Sequence, residues 1–250
     1  MRLAKTLPLI LFPFVSFSQS NKPMTQVQKV ELAYLNDTTY QKDELNHEIM
    51  NIVIHSPKGL VIAQGSLKNN KREGTWREYN NQGMFTTITE YHIGMKHGAS
   101  VHFGNNNNLM DDETYSRDSL NGPKITYNNG GKIKVIEHYV NGVLDGDKKA
   151  YYDNGKVQEE STYINGQRNG MAKWYFQTGT PSIEYNYKMG ELNGASKEYF
   201  SNGLISKEGN YLKDAEDGEW KIYNDSILIK KIIYKNGVAI KEQEINKEKK

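Results

Sequence analysis

The 250-residue sequence contains no cysteine. That absence excludes disulfides, thiolate metal sites, a cysteine nucleophile and a lipid anchor built on a cysteine behind an export signal. The chain must hold itself together by packing and backbone pairing alone. Apolar side chains are scarce as well: 36% of residues are hydrophobic and the mean hydropathy is −0.77, too little for the thick core that an ordinary domain of this length buries. Beyond the first twenty residues no apolar run approaches the length of a transmembrane helix. An excess of one charge is missing too, with 32 basic against 30 acidic residues and a net charge of +2. A duplex nucleic-acid binder needs a dense positive field, so nucleic acid is not an expected partner.

Glycine (22) and tyrosine (17) are abundant instead, and they recur with a fixed period. Aromatic residues stand at Tyr79, Phe103, Tyr127, Tyr151, Tyr175, Tyr199 and Tyr223, always 24 apart; five residues before each lies a glycine, at Gly74, Gly98, Gly122, Gly146, Gly170, Gly194 and Gly218. A second aromatic series runs half a period away at Tyr91, Tyr115, Tyr139, Tyr163, Tyr187 and Tyr211, with Tyr234 one residue early after a shortened turn. Further glycines follow most first-series aromatics by four (Gly83, Gly131, Gly155) and most second-series tyrosines by three (Gly94, Gly142, Gly166), and these mark two turns per unit. Short Tyr-, Val- and Ile-rich segments between Asn-Gly clusters are the signal for hairpins. A helix would lose about 1 kcal/mol at every interior glycine.

The period predicts an all-β fold: an elongated, twisted antiparallel meander of stacked 24-residue β-hairpin repeats. Two strands in each of seven units make fourteen, or roughly 65–70 Å of sheet at ~4.8 Å per strand. Stability should come from contacts between neighbouring units.

The ends complete the domain organisation. Residues 1–18 read as a signal peptide, with basic Arg2 and Lys5, apolar Leu7 to Phe17, and Ser16-Phe17-Ser18 before a cleavage point at Gln19. Residues 19–64 are an N-terminal cap with a degenerate repeat, because His55 and Gly59 fill the aromatic and turn-glycine slots one period before Tyr79 and Gly83, and Val30, Leu32 and Tyr34 alternate as in a strand. Residues 65–237 carry the seven repeats, and 238–250 read as a charged, solvated C-terminal tail.

The pattern Gly-x-x-x-x-Tyr with Asn-Gly turns and a Glu-x-Tyr return strand resembles the MORN-repeat family, nearest the variant repeats of bacterial proteins labelled YwqK-type antitoxins. Gly170-Met-Ala-Lys-Trp-Tyr-Phe-Gln-Thr-Gly179 and Gly194-Ala-Ser-Lys-Glu-Tyr-Phe-Ser-Asn-Gly203 carry the likeness best. The resemblance implies stacked hairpins and association with proteins or membrane lipids. Its antitoxin label implies an immunity-type role, with which an export signal sits badly.

Chemistry is hard to find. No nucleophile with a base, carboxylate pair or metal set stands out, so no catalysis and no cofactor are expected. His92, His97 and His102 are spaced five apart, and His92 and His102 facing each other on adjacent strands would share a metal; exposed strand residues are the plainer reading, since sites want three protein ligands. Gly130-Gly131 is turn punctuation with no helix behind it to receive an anion. Asp214-Ala-Glu-Asp217 lacks the ligand spacing of a calcium loop. The best binding candidate is a ladder in which Lys149, Lys173, Lys197 and Lys221 share a strand face with Tyr151, Tyr175, Tyr199 and Tyr223. Charges repeating every ~10 Å suit an anionic polymer or an acidic partner face. The alternative is that each lysine lays its stem over a tyrosine and keeps its ammonium in water. Together these readings give an exported, non-catalytic scaffold with a protein partner at the periplasm, cell surface or outside; glycan, anionic-polymer or lipid-headgroup binding is the alternative.

Overall fold

The computed structural model describes residues 38–42 and 48–245. The chain divides into residues 1–36 and 37–250, and the fold described is that of the second part. The signal peptide and the Val30–Tyr34 strand read from the sequence lie outside the described residues.

Among the described residues there is a single antiparallel sheet of twenty strand segments and no helix. Each strand pairs with its sequence neighbours, from Thr38–Lys42 to Val238–Glu244. Two rungs are broken, into Val143–Leu144 with Gly146–Tyr151 and Gln167–Arg168 with Gly170–Tyr175, so the twenty segments make eighteen rungs. The all-β hairpin meander follows the period; its length exceeds the fourteen strands read from it.

The additional rungs lie at both ends. Ile49–His55 and Val61–Lys68 are joined by a turn in which the Gly59 N–H donates to the Ser56 carbonyl at 2.8 Å, as Gly83 does to Asn80 at 3.0 Å one period later. At the other end the reading of 238–250 as a solvated tail needs correction, because Val238–Glu244 is a strand paired with Ile227–Lys235. Lys230 supplies the reason. Its ammonium lies 2.6 Å from Glu242 and 3.4 Å from Glu244, so the charges that look like a tail's are cross-strand partners.

Two kinds of turn alternate. The short ones have two central residues, both at positive φ, such as Asn165 (49°) and Gly166 (80°), the form whose twist matches the flanking strands. These turns also join units. The Gly94 N–H donates to the Arg72 carbonyl, Gly142 to Leu120 and Gly190 to Arg168, at 2.7–2.9 Å. The glycine series beginning at Gly74 lies elsewhere, inside strands, with Gly122 at φ 129° and Gly146 at 116°. Register shows why it is needed: Tyr163 pairs with Arg168, yet three residues back along that strand Glu160 pairs with Lys173. In each unit that carries this glycine, the strand after the short turn thus has two extra residues, a bulge that glycine's free backbone accommodates.

A one-layer sheet has no second layer to cover it. Nevertheless Ile52, Trp76, Ser100, Ala172, Ser196 and Trp220 are all buried, and cross-strand pairing puts every buried side chain among the described residues on one face, here called the inner face. Cover comes from side chains of adjacent rungs. The closest pairs join two positions of the repeat, 11 residues apart, and they are matched in several ways. Thr89 and Ser100 share a hydroxyl–hydroxyl bond of 2.9 Å, Glu113 and Lys124 an ion pair of 2.8 Å. At the ends, Trp76 lies on Gly65 and Trp220 on Gly209, where any Cβ would overlap the indole ring.

Gly209→Ala should therefore lower stability by about 1–3 kcal/mol through overpacking, read as a shift in urea midpoint. In a Trp220→Ala background the same change should be close to neutral; equal losses in both backgrounds would show that the ring does not set the requirement.

Candidate interaction surface

The opposite, outer face carries no fully buried side chain among the described residues. Near the longer turns the first-series aromatics pair with apolar neighbours across the bend, Tyr79 with Phe85, Phe103 with Leu109, Tyr127 with Ile133, Tyr151 with Val157 and Tyr199 with Ile205. Two residues further into the strands a second row crosses the sheet. Over its C-terminal half this row reads Lys149, Glu160, Lys173, Glu184, Lys197, Glu208, Lys221, each the cross-strand partner of the next.

Lysine and tyrosine thus share one face, and between successive lysines stands a carboxylate that spacing alone had not revealed. Lys149 lies 2.6 Å from Glu160, Lys173 3.2 Å from Glu184 and Lys221 3.6 Å from Glu208. The hydroxyls of Tyr175, Tyr199 and Tyr223 donate to Glu160, Glu184 and Glu208 at 2.8, 3.1 and 2.7 Å. Burial, and then the carboxylate accepting each hydroxyl, pushes these three phenols up to about 12. Glu160 is held below the usual carboxylate range by Lys149 and Tyr175, and its acceptance of the Lys149 proton raises that ammonium in turn. The ladder is an alternating ionic strip, so it presents no bare cationic row. Over the N-terminal half the same row is mostly aliphatic, Arg77, Ile88, Val101, Asp112, Ile125, Ile136.

The histidine arrangement considered from the sequence does not form. His92 pairs across the short turn with Met95, whereas His102 lies between Thr87 and Asp111. The turn separates them, since it sets His92 beside Met95 while His102 lies seven residues further along its strand. Glu73 takes His92 at 2.9 Å, and no three metal-ligating side chains converge among the described residues. Asp214 sits in a short turn and accepts the Leu192 N–H at 2.7 Å. Gly130 donates to the Asn128 side chain within its own turn. On the inner face the cations lie over rings, Arg72 4.3 Å from Trp76, Lys207 4.3 Å from Trp220 and Arg168 5.5 Å from Trp174.

Residues 144–165 and 168–189 match the MORN repeat variant. These two adjacent units are MORN repeats. No curated protein matches the chain. MORN units elsewhere serve generally as protein- or membrane-interaction modules.

Two covered carboxylates of the inner face lie towards the middle of the sheet. Glu113, buried, receives Lys124 at 2.8 Å and the Tyr115 hydroxyl at 2.8 Å; Glu159 receives Arg168 at 2.7 Å and Ser161 at 3.1 Å. Burial works to raise both carboxyls, but their donors outweigh it and hold both below the usual range. Their folded values therefore lie below the unfolded ones, and the unfolded chain takes up protons first. Stability should be level near neutrality and fall as pH drops below about 4. Glu113→Gln should cost about 1–3 kcal/mol at neutral pH and flatten that acid loss, both read from urea midpoints across pH. An unchanged acid slope in the variant would dissociate Glu113 from the effect.

Proposed function

We propose that the chain is an exported, non-catalytic repeat scaffold of the cell envelope that holds a protein partner on its outer face. The observation carrying this reading is the contrast between the faces: all described burial is on the inner one, which leaves the outer one, with its tyrosines and ionic strip, presented to solvent. Pairing each lysine with a glutamate favours a partner of mixed charge, read by geometry, over a uniform polyanion. Many ionisable groups on both faces, such as Lys149, Lys173 and Arg72, are engaged with carboxylates or with rings, which supports a binding role over a reactive one. Export is supported by the basic, apolar and small-residue order of residues 1–18.

Immobilised chain incubated with the envelope fraction of its source cells should retain a defined protein when salt is raised from about 0.1 to 0.5 M, where exposed ion pairs are screened. Lys149→Gln, Lys173→Gln, Lys197→Gln and Lys221→Gln combined should weaken that capture at least about tenfold, or ~1.4 kcal/mol. Capture of a polysaccharide or anionic lipid that disappears as salt rises would overturn the protein reading. Mass spectrometry of the cellular chain should find Gln19 at its N-terminus, and a cytosolic chain that keeps residues 1–18 would overturn export.

A further inference from the structure

The N-terminal half of the outer face has a matched apolar centre flanked by opposite charges, in place of the alternating lysines and glutamates of the C-terminal half. Four successive strands, Lys71–Tyr79, Phe85–His92, Met95–Phe103 and Leu109–Ser116, place Arg77, Ile88, Val101 and Asp112 side by side in one row. Beside it runs an apolar row in which Tyr79 and Phe85 stand 4.9 Å apart and Phe85 and Phe103 5.9 Å apart, by ring centres. Both rows have like residues at their centre. In the first, opposite charges sit one rung outside the aliphatic pair on either side. The ion pairs nearby, Arg72–Glu78 and Lys124–Glu113, belong to the inner face and leave Arg77 and Asp112 out.

We infer that this half of the outer face is an isologous interface between two copies of the chain. Consider a two-fold axis lying in the interface, parallel to the strands, midway between Phe85–His92 and Met95–Phe103. Rotation about it reverses the order of rungs. Ile88 of one copy then meets Val101 of the other, Phe85 meets Phe103, and Arg77 meets Asp112, every contact occurring twice. Two sheets packed in this way lie about 10 Å apart with strands roughly aligned, the ordinary geometry of a sheet sandwich. One rung further out Gln64 falls opposite Ile125, and beyond that Val53 opposite Ile136. A different partner would need neither the matched centre nor two opposite charges equidistant from it; a second copy uses both. Such pairing covers an apolar face that the single layer cannot cover itself, and it leaves the ionic strip beyond Lys149 open. It is therefore additional to the partner binding proposed above and independent of it.

Sedimentation equilibrium of the full chain tests the inference. The chain should be a dimer at micromolar concentration. Asp112→Arg places two guanidinium groups opposite each other at both ends of the interface, and Arg77→Asp does the same with carboxylates. Each should weaken dimerisation at least about tenfold. The double variant carrying both changes restores the opposite charges and should recover a dissociation constant within about threefold of the parent, with far-ultraviolet circular dichroism unchanged throughout. A parent chain that remains monomeric overturns the inference, as does a dimer indifferent to the single reversals. So does a double variant that stays dissociated.

Discussion

Backbone hydrogen bonding in this molecule runs from rung to rung, but among the described residues no second layer stacks on the sheet, and that one constraint governs its side chains. In a two-layer domain a large residue finds its cover across the core; here cover must come from the same face, one rung away. Trp76 and Trp220 meet this by lying on glycines, and Arg72, Arg168 and Lys207 by spreading their cationic groups over the rings. Contacts of this kind join only sequence neighbours, so energy is distributed along the array as nearest-neighbour terms. The low contact order that results favours fast, local pairing during folding.

Part of this was legible in the sequence, and the limit was set by the bulges. Strands and turns follow from the 24-residue period, because a positive-φ turn demands residues that repeat with it. The pairing of strands does not follow. An uninterrupted hairpin around Asn165-Gly166 would set Glu160 opposite Met171; the two extra residues around Gly170 set it opposite Lys173 instead. Two is an even number, so each side chain keeps its face while changing its partner. Lysine and tyrosine therefore share one side in either register, whereas the glutamates between the lysines follow only from the shifted one. His92 and His102 are kept apart by the turn itself, which pairs His92 with Met95.

The end of the array was obscured by composition. Asp225 and Ser226, at φ 47° and 63°, replace a longer turn with a two-residue one, which draws Tyr234 forward by a residue yet keeps it 6.2 Å from Trp220. Past that point the chain turns polar, and a polar strand at an exposed edge is indistinguishable in sequence from a tail. Its acidic residues have meaning only beside Lys230. Charge on an edge strand also discourages pairing with other chains, so one composition serves both the final rung and its protection.

Inner and outer faces divide the tasks of specification and presentation. Along the outer C-terminal half one unit is nearly the next: Lys173 with Glu184, Lys197 with Glu208. A slip of one full period would leave that ionic strip almost unchanged, so the strip cannot define which unit pairs with which. The inner pairs can, since the same two positions hold glycine and tryptophan, two hydroxyls, or an acid and a base in different units. Sliding by 24 residues would press Trp220 against Tyr185 in place of Gly209 and set Lys124 against Thr89, which takes its carboxylate away inside the covered face, an expensive exchange for a charge held there. Order is thus fixed where solvent does not reach. The presented face is thereby free to repeat, and repetition at a constant rung spacing is what an extended partner needs in order to be read along its length.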